Sequence, residues 1–406
     1  MKKGWPTKRL GDVVTRLTNG FVGPTRNIYH ESGIPYLLAR HVRNNNLLFD
    51  GRTFITEEFN RKNKKSMLKA GDVLLVQSGH IGHSAVVTEE HDGHNCHAMI
   101  VISPVKDAIT GPYLSLFFNS PDMQRGFEEI RSGSTVPHLT CGAVKELQIP
   151  VPPLAEQQRI VGLLDKAFEG LATAKTNAEK NLQNARALFE SHLQSVFTQR
   201  GNGWVENKLK SITTKIGSGA TPRGGGESYK DEGISLIRSL NVHDLGFKYA
   251  KLAFLDDAQA DELSNVEVQR RDVLLNITGA SVARCAIVPD DVLPARVNQH
   301  VSIIRPVAEK LDADFLHYLL ISRPYKDQLL KTGEEGGSTR QAITKAQIQD
   351  FTVEYPAKLK DQKIIVVKLD AMLAETQRLA RIYERKLAAL AELKKSLLHQ
   401  AFTGEL

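Results

Sequence analysis

The chain has 406 residues, with 53 Lys+Arg against 46 Asp+Glu and a sequence pI of about 9.1. With 24% charged and 41% hydrophobic residues, the composition is that of a globular protein and excludes a disordered or collagen-like chain. No apolar run approaches the roughly 18 residues that cross a bilayer, and the basic N-terminus is followed by no apolar core of a secretory leader.

Length alone predicts two or three domains. Cys96, Cys141 and Cys285 are isolated and odd in number, which fits a reducing cytosol better than a disulfide framework. The basic balance permits a polyanionic partner without requiring one.

In chain order, the first stretch offers short apolar runs broken by Gly, Pro, Asn and Ser. Val73–Val76, 85–88 and 100–102 read as strands, and 113–118 as a short helix. After Pro152-Pro153 comes a proline-free segment, 156–198. The same series then returns. Trp204 and Leu209 answer Trp5 and Leu10. Asp272-Val273-Leu274-Leu275 answers Asp72-Val73-Leu74-Leu75, with Gly279 for Gly79. Asn298-Gln299-His300 answers Asn95-Cys96-His97, and Gly337-Ser338-Thr339 answers Gly133-Ser134-Thr135. Residues 273–275, 286–288 and 302–304 read as strands, 315–321 as a helix, and a second proline-free segment, 361–403, follows Pro356. A period of about 200 residues means two copies of a domain rather than a solenoid.

Both proline-free segments carry heptad spacing. Ile160, Leu164, Ala167, Leu171, Ala174, Ala178, Leu182, Ala185, Phe189, Leu193 and Val196 fall at alternating steps of three and four. Ile365, Leu369, Met372, Thr376, Leu379, Tyr383, Leu387, Leu390, then Leu393 or Lys394, Leu398 and Ala401 repeat the pattern at one constant offset. This is the signature of helices packed lengthwise. Each helix could instead cover its own domain. However, a rod of about 60 Å outruns such a domain, and the other rod has the same length and seam. The expected fold is therefore a mixed α/β (α+β) tandem duplication. Two globular domains, 1–153 and 201–356, are separated by helical regions 154–200 and 357–406, which pair as an antiparallel coiled coil with approximate two-fold symmetry. That symmetry brings Leu406 near Met1. Two readers about a two-fold axis match duplex DNA, where dimeric proteins read half-sites about 34 Å apart. Two different domains on one chain would read a split, asymmetric target.

The run Pro150-Val151-Pro152-Pro153-Leu154-Ala155-Glu156-Gln157-Gln158-Arg159-Ile160-Val161, the pair Leu164-Asp165, the runs Gly219-Ala220-Thr221-Pro222 and Asp272-Val273-Leu274-Leu275, and the closing run from Leu393 to Leu406 together resemble the specificity subunit of type I restriction-modification systems. The resemblance covers the whole chain. It departs at Asp361-Gln362-Lys363, where the second copy replaces Glu-Gln-Gln, and at Gly20-Phe21-Val22-Gly23-Pro24-Thr25, where the first copy lacks Gly-x-Thr-Pro. It implies two target-recognition domains, double-stranded DNA as ligand, and assembly with two methyltransferase subunits and with restriction/translocase subunits. It also implies catalysis in those partners, with no cofactor on this chain.

The sequence agrees with a non-catalytic role. It has no Gly-x-x-x-x-Gly-Lys-Ser/Thr phosphate loop, and Val151-Pro152-Pro153-Leu154 has the wrong flanks for an amino-methylation motif. His80, His83, His91, His94, Cys96 and His97 crowd one region, but only His300 recurs in the second copy, so DNA-facing or loop histidines are preferred to a zinc site. Phosphate contacts call for Lys and Arg, and base edges for Arg, Asn, Gln, Ser or His. Residues 1–150 hold 18 basic and 14 acidic side chains, whereas 201–355 hold 19 and 21, so the second domain must gather its positive charge on one face. The DNA-binding candidates are Arg40, Arg43, Gln77, Ser78, His80, Thr135 and His138 in the first copy. In the second they are Arg223, Arg238, Asn241, Asn276, Thr278, Arg284, Arg340 and Gln341. The candidates for partner subunits are the apolar residues off the heptad seam: Phe168, Leu188, Phe197, Leu373 and Leu397. The alternative is a structural coiled-coil adaptor whose duplicated end domains bind proteins.

Overall fold

The computed structural model describes residues 5–25, 27–43, 45–133, 137–334 and 342–406. The chain forms two compact units, 1–179 with 384–406 and 180–383. The two long helices are Leu154–Thr198 and Leu359–Thr403, and each contributes one half to each unit.

In the first unit an antiparallel sheet runs in the order Val14–Asn19, Met99–Pro104, Val73–Val76, Ser84–Val86. The central strand Val73–Val76 has no exposed residue, as expected of a strand covered on both faces, and so reads as an unbroken apolar run. Its side chains alternate. Val73 and Leu75 enter the core under the helices, while Leu74 and Val76 enter a second core against a smaller sheet. That smaller sheet orders Phe54–Ile55, Ile34–Leu37 and Asn95–Cys96, the last pair parallel through Tyr36 with Asn95. The second unit repeats the plan: Thr213–Ser218, Val301–Pro306, Val273–Asn276, Cys285–Ile287, backed by a smaller sheet in which Ser235 pairs Ala295 in parallel.

Each unit closes on parts of both long helices. In the first, Ile160 and Leu164 from the start of one helix share a core with Leu398, Ala401 and Phe402 from the end of the other. In the second, Phe189, Leu193 and Phe197 share a core with Val366 and Leu369. Start lies against end in both, so the pairing is antiparallel. The long-helix bounds extend the proline-free segments by only two residues at their N-terminal ends.

One buried glutamine fastens each helix start to its domain. Gln157 accepts from the Thr110 N–H and donates to the Ala108 and Pro152 carbonyls, each at 2.9 Å. Gln362 accepts from the Asp312 N–H at 2.8 Å and donates to the Lys310 and Pro356 carbonyls at 2.9 and 2.8 Å. Both side chains have 0% exposure. At the chain's end, Arg159 donates to the Leu406 carbonyl at 2.8 Å, and Trp5 and Leu406 pack on one core. Met1 lies outside the described residues. Among the described residues no helix is long and apolar enough to cross a membrane.

Candidate nucleic-acid interface

At one end of the main sheet one loop contact recurs in both units, Ser78 bridging His138 in the first and Thr278 bridging Ala342 in the second, both antiparallel. In the first, the Leu139 N–H donates to the Gln77 carbonyl and the Phe21 N–H to the Cys96 carbonyl, at 2.8 and 2.9 Å. In the second, the Ile343 N–H donates to the Ile277 carbonyl and the Ile277 N–H to the His300 carbonyl, at 2.8 and 3.0 Å. The strand leaving each sheet passes so close to this cluster that only glycine fits. A Cβ on Gly219 would lie 1.6 Å from the Val297 carbonyl oxygen, and one on Gly20 would lie 2.7 Å from that of Cys96.

Different side chains stand on this common frame. In the first unit, Arg43 and His80 are exposed, and His138 is exposed beside Ser132. The His80 and His83 rings are 5.6 Å apart. His83 is held below the ordinary imidazole range by burial first, then by His80 and Arg43. Gln77 and Ser78 are half-buried in the same loop. In the second unit, Thr278 Oγ1 is 2.5 Å from His300 Nδ1, His300 Nε2 is 3.2 Å from Gln299 Nε2, and Gln299 Oε1 accepts from Thr221. Arg223 is exposed and Arg284 half-exposed, and Arg284 helps depress His243 after burial and Lys248. These clusters can supply cations to phosphates and hydroxyl, amide and imidazole groups to base edges.

Several sequence candidates have other duties. Asn241 is 0% exposed and bridges the Arg238 N–H and the Lys248 carbonyl. His41 holds the matching position in the first unit and accepts from the Leu38 N–H at 3.1 Å. Asn276 is 0% exposed and donates to the Ser239 carbonyl. A fully buried, hydrogen-bonded amide cannot meet a base edge without unfolding its loop, so both leave the DNA-facing set. Arg238 stacks 5.1 Å over Tyr229 and donates to the Lys251 carbonyl. Arg40 pairs with Asp50 at 3.0 Å, and that hydrogen bond leads the interactions that bring the Asp50 carboxyl down to about 2. Thr135, Arg340 and Gln341 lie outside the described residues. Thr221, Gln299 and His300 are absent from the sequence candidates, although the repeat of Asn95-Cys96-His97 in Asn298-Gln299-His300 marks the place.

The helix candidates also divide. Leu188 is 51% exposed. Phe197 is 1% exposed and packs on Trp204 and Phe315, so it belongs to the core rather than to a partner-facing surface. Phe168 and Leu397 pack against the first unit's core and Leu373 against the second's. The apolar side chains left open on the helices are Leu163, Leu188, Ile364, Val367, Ile382 and Leu393. Among the described residues no group of three or more His, Cys, Asp or Glu is placed to hold a metal. Burial raises the Cys96 thiol to about 12.

The family model for the type I restriction modification DNA specificity domain matches residues 2–183 and again 201–384. The chain belongs to this family. It is a specificity subunit, the DNA-recognition component of a type I restriction-modification system. It is 22% identical to the MjaVIII specificity subunit of Methanocaldococcus jannaschii over 99% of this chain and 93% of the relative. It is 21% identical to the EcoKI specificity subunit of Escherichia coli over 100% and 90%. Among solved structures, it matches a chain from work on complex assembly and conformational transition of the type I R-M system, with TM-score 0.77, 21% identity, and coverage of 100% of this chain and 99% of that one. It also matches the HsdS subunit of Thermoanaerobacter tengcongensis, with TM-score 0.65, 21% identity, and coverage of 100% and 98%. These structural likenesses establish the fold of the specificity subunit.

Proposed function

We propose that this specificity subunit reads a bipartite, asymmetric duplex site, one half with residues 1–153 and the other with 201–356. Residues 154–200 and 357–406 then carry two methyltransferase subunits, which restriction/translocase subunits join. One observation carries this reading: two loop clusters with the same backbone frame bear different polar side chains. Equivalent placement gives each domain the same approach to a duplex, and different side chains give it a different preference. Arg43, His80, Ser78, Gln77 and His138 make the first reader; Arg223, Thr278, Arg284, Gln299 and His300 make the second. Methyl transfer and cleavage belong to the partners, and the chain works in the cytoplasm beside its DNA.

Binding selection from random duplexes, with the methyltransferase subunits present, tests this. The expected product is two short specified blocks separated by unspecified bases. One uninterrupted block, or no preference at all, overturns it. The adaptor alternative predicts protein association untouched by DNA and no sequence preference.

A further inference from the structure

The duplication supplies a template for reading a groove in the first unit. A space of about 670 Å³ opens between the helix Gly111–Phe118 and the long helices, lined by Leu116, Phe168, Asp165 and Lys394 among others. In the second unit the matching positions are filled. Leu116 corresponds to Tyr318, since Tyr113 and Phe315 pack alike on Phe402 and Phe197. Asp165 corresponds to Asp370 and Lys394 to Phe189, in the register fixed by Gln157 and Gln362. There the Tyr318 and Phe189 rings lie 6.1 Å apart, and the Tyr318 hydroxyl donates to Asp370 Oδ1 at 2.6 Å.

The first unit has a leucine in place of the phenol and an ammonium in place of the phenyl ring. Asp165 has no ion pair or hydrogen bond with any described residue. Lys394 covers the Phe168 ring at 4.8 Å, and burial, then Lys175, weakens its hold on its proton. A lysine stem of this length can swing its head to water and uncover the ring. What remains is a slot with apolar walls from Leu116, Phe168 and Leu390 and two carboxylates, of which Glu179 is paired with Lys175 at 3.8 Å and Asp165 stands open as an acceptor, the arrangement that a phenol satisfies in the twin. Leu163 and Leu393, on the same helix halves, are 42% and 47% exposed, apolar surface of the kind a protein partner covers.

We propose that a tyrosyl side chain of a partner protein enters this groove, its ring against Leu116 and Phe168 and its hydroxyl donating to Asp165, so that the first unit takes from a partner what the second unit supplies itself. This rests on the reading of the chain as a subunit of a larger assembly.

The test uses the full chain with p-cresol, the tyrosine side-chain mimic, followed by saturation-transfer NMR. Wild type should bind saturably, Asp165→Asn should bind at least fivefold more weakly, and Leu116→Tyr with Lys394→Phe, which copies the second unit's filling, should abolish binding. Lys394→Phe alone serves if the double variant does not fold. Adding the methyltransferase subunit should displace the cresol from wild type, and the filled variant should associate with that subunit at least tenfold more weakly. Absence of saturable binding, binding unchanged by filling, or cresol retained in the assembled complex overturns the proposal. Failure of wild type to associate would instead count against the assembly reading itself.

Discussion

Arg16 and Asp72 form a shielded ion pair across the first unit's main sheet, and Arg305 and Asp272 form its counterpart in the second from a different strand. Asp72 and Asp272 are 3% and 0% exposed. Their carboxylates also accept from the Lys69 and Gln269 backbone N–H groups, at 2.8 and 2.7 Å. Arg16 lies opposite Ser103 in the strand register, and Lys215 lies opposite Arg305. The guanidinium has thus changed strands between the copies while the buried carboxylate kept its place. A buried charge must be paired, and the partner can come from the adjacent strand, as Arg305 does, or from the next strand out, as Arg16 does.

Arg16→Ala should destabilise the first unit by about 2–4 kcal/mol, because it strands a buried carboxylate. Adding Ser103→Arg should restore at least half of that loss by recreating the second unit's arrangement. Denaturant unfolding followed by Trp5 fluorescence in a Trp204→Phe background measures both, since the chain has two tryptophans, one on each unit's core. No rescue by the second arginine would refute the strand exchange.

Gln157→Ala should cost about 2–3 kcal/mol, leaving the Thr110 N–H and two carbonyls without their partner. Gln157→Glu keeps the acceptor but turns a carboxylate oxygen toward the Ala108 and Pro152 carbonyls, and should be no better. The effect should appear chiefly in the Trp5 transition, and that of Gln362→Ala chiefly in the Trp204 transition. Equal shifts at both reporters would show that the glutamines do not act within their own units.

The long helices were legible because heptad spacing is local. Ile160, Leu164, Ala178, Ala185, Phe189 and Leu193 are buried as the seam required. The choice between Leu393 and Lys394 resolves against simple hydrophobicity: Leu393 is 47% exposed while Lys394 lies over Phe168. The error over Phe197 has a related cause. Each helix packs on its partner and also on a globular domain, so apolar residues beside the seam can be core, and periodicity cannot say which face meets the domain. The strand runs were legible from their apolar character. The parallel pairs of Tyr36 with Asn95 and Ser235 with Ala295 join segments far apart in sequence and left no local mark. Asn241 and Asn276 fasten loops, and in a polar stretch of sequence an amide that fastens a loop looks like one that reads a base.

Acid should weaken the first unit. Burial is the leading cause holding His41, His83, His94 and His97 below the usual imidazole range. The unfolded chain takes up these protons near pH 6.5 and the folded chain only at lower pH, so stability is complete above about 6.5 and declines as pH falls toward the folded values. The unfolding midpoint reported by Trp5 should drop between pH 7 and 5. His41→Asn, which copies Asn241, should reduce that drop. A midpoint that is flat or rises on acidification would contradict this.

One chain thus holds two readers proposed to act independently and with unlike preference. The decisive measurement repeats the duplex selection with the Arg43→Ala, His80→Ala variant in the presence of the methyltransferase subunits. Specificity should relax in one block of the target, by about 1–3 kcal/mol for each side chain that no longer reaches its base, with the other block and the unspecified gap unchanged. Equal weakening of both blocks, or an unaltered target, would contradict two independent readers.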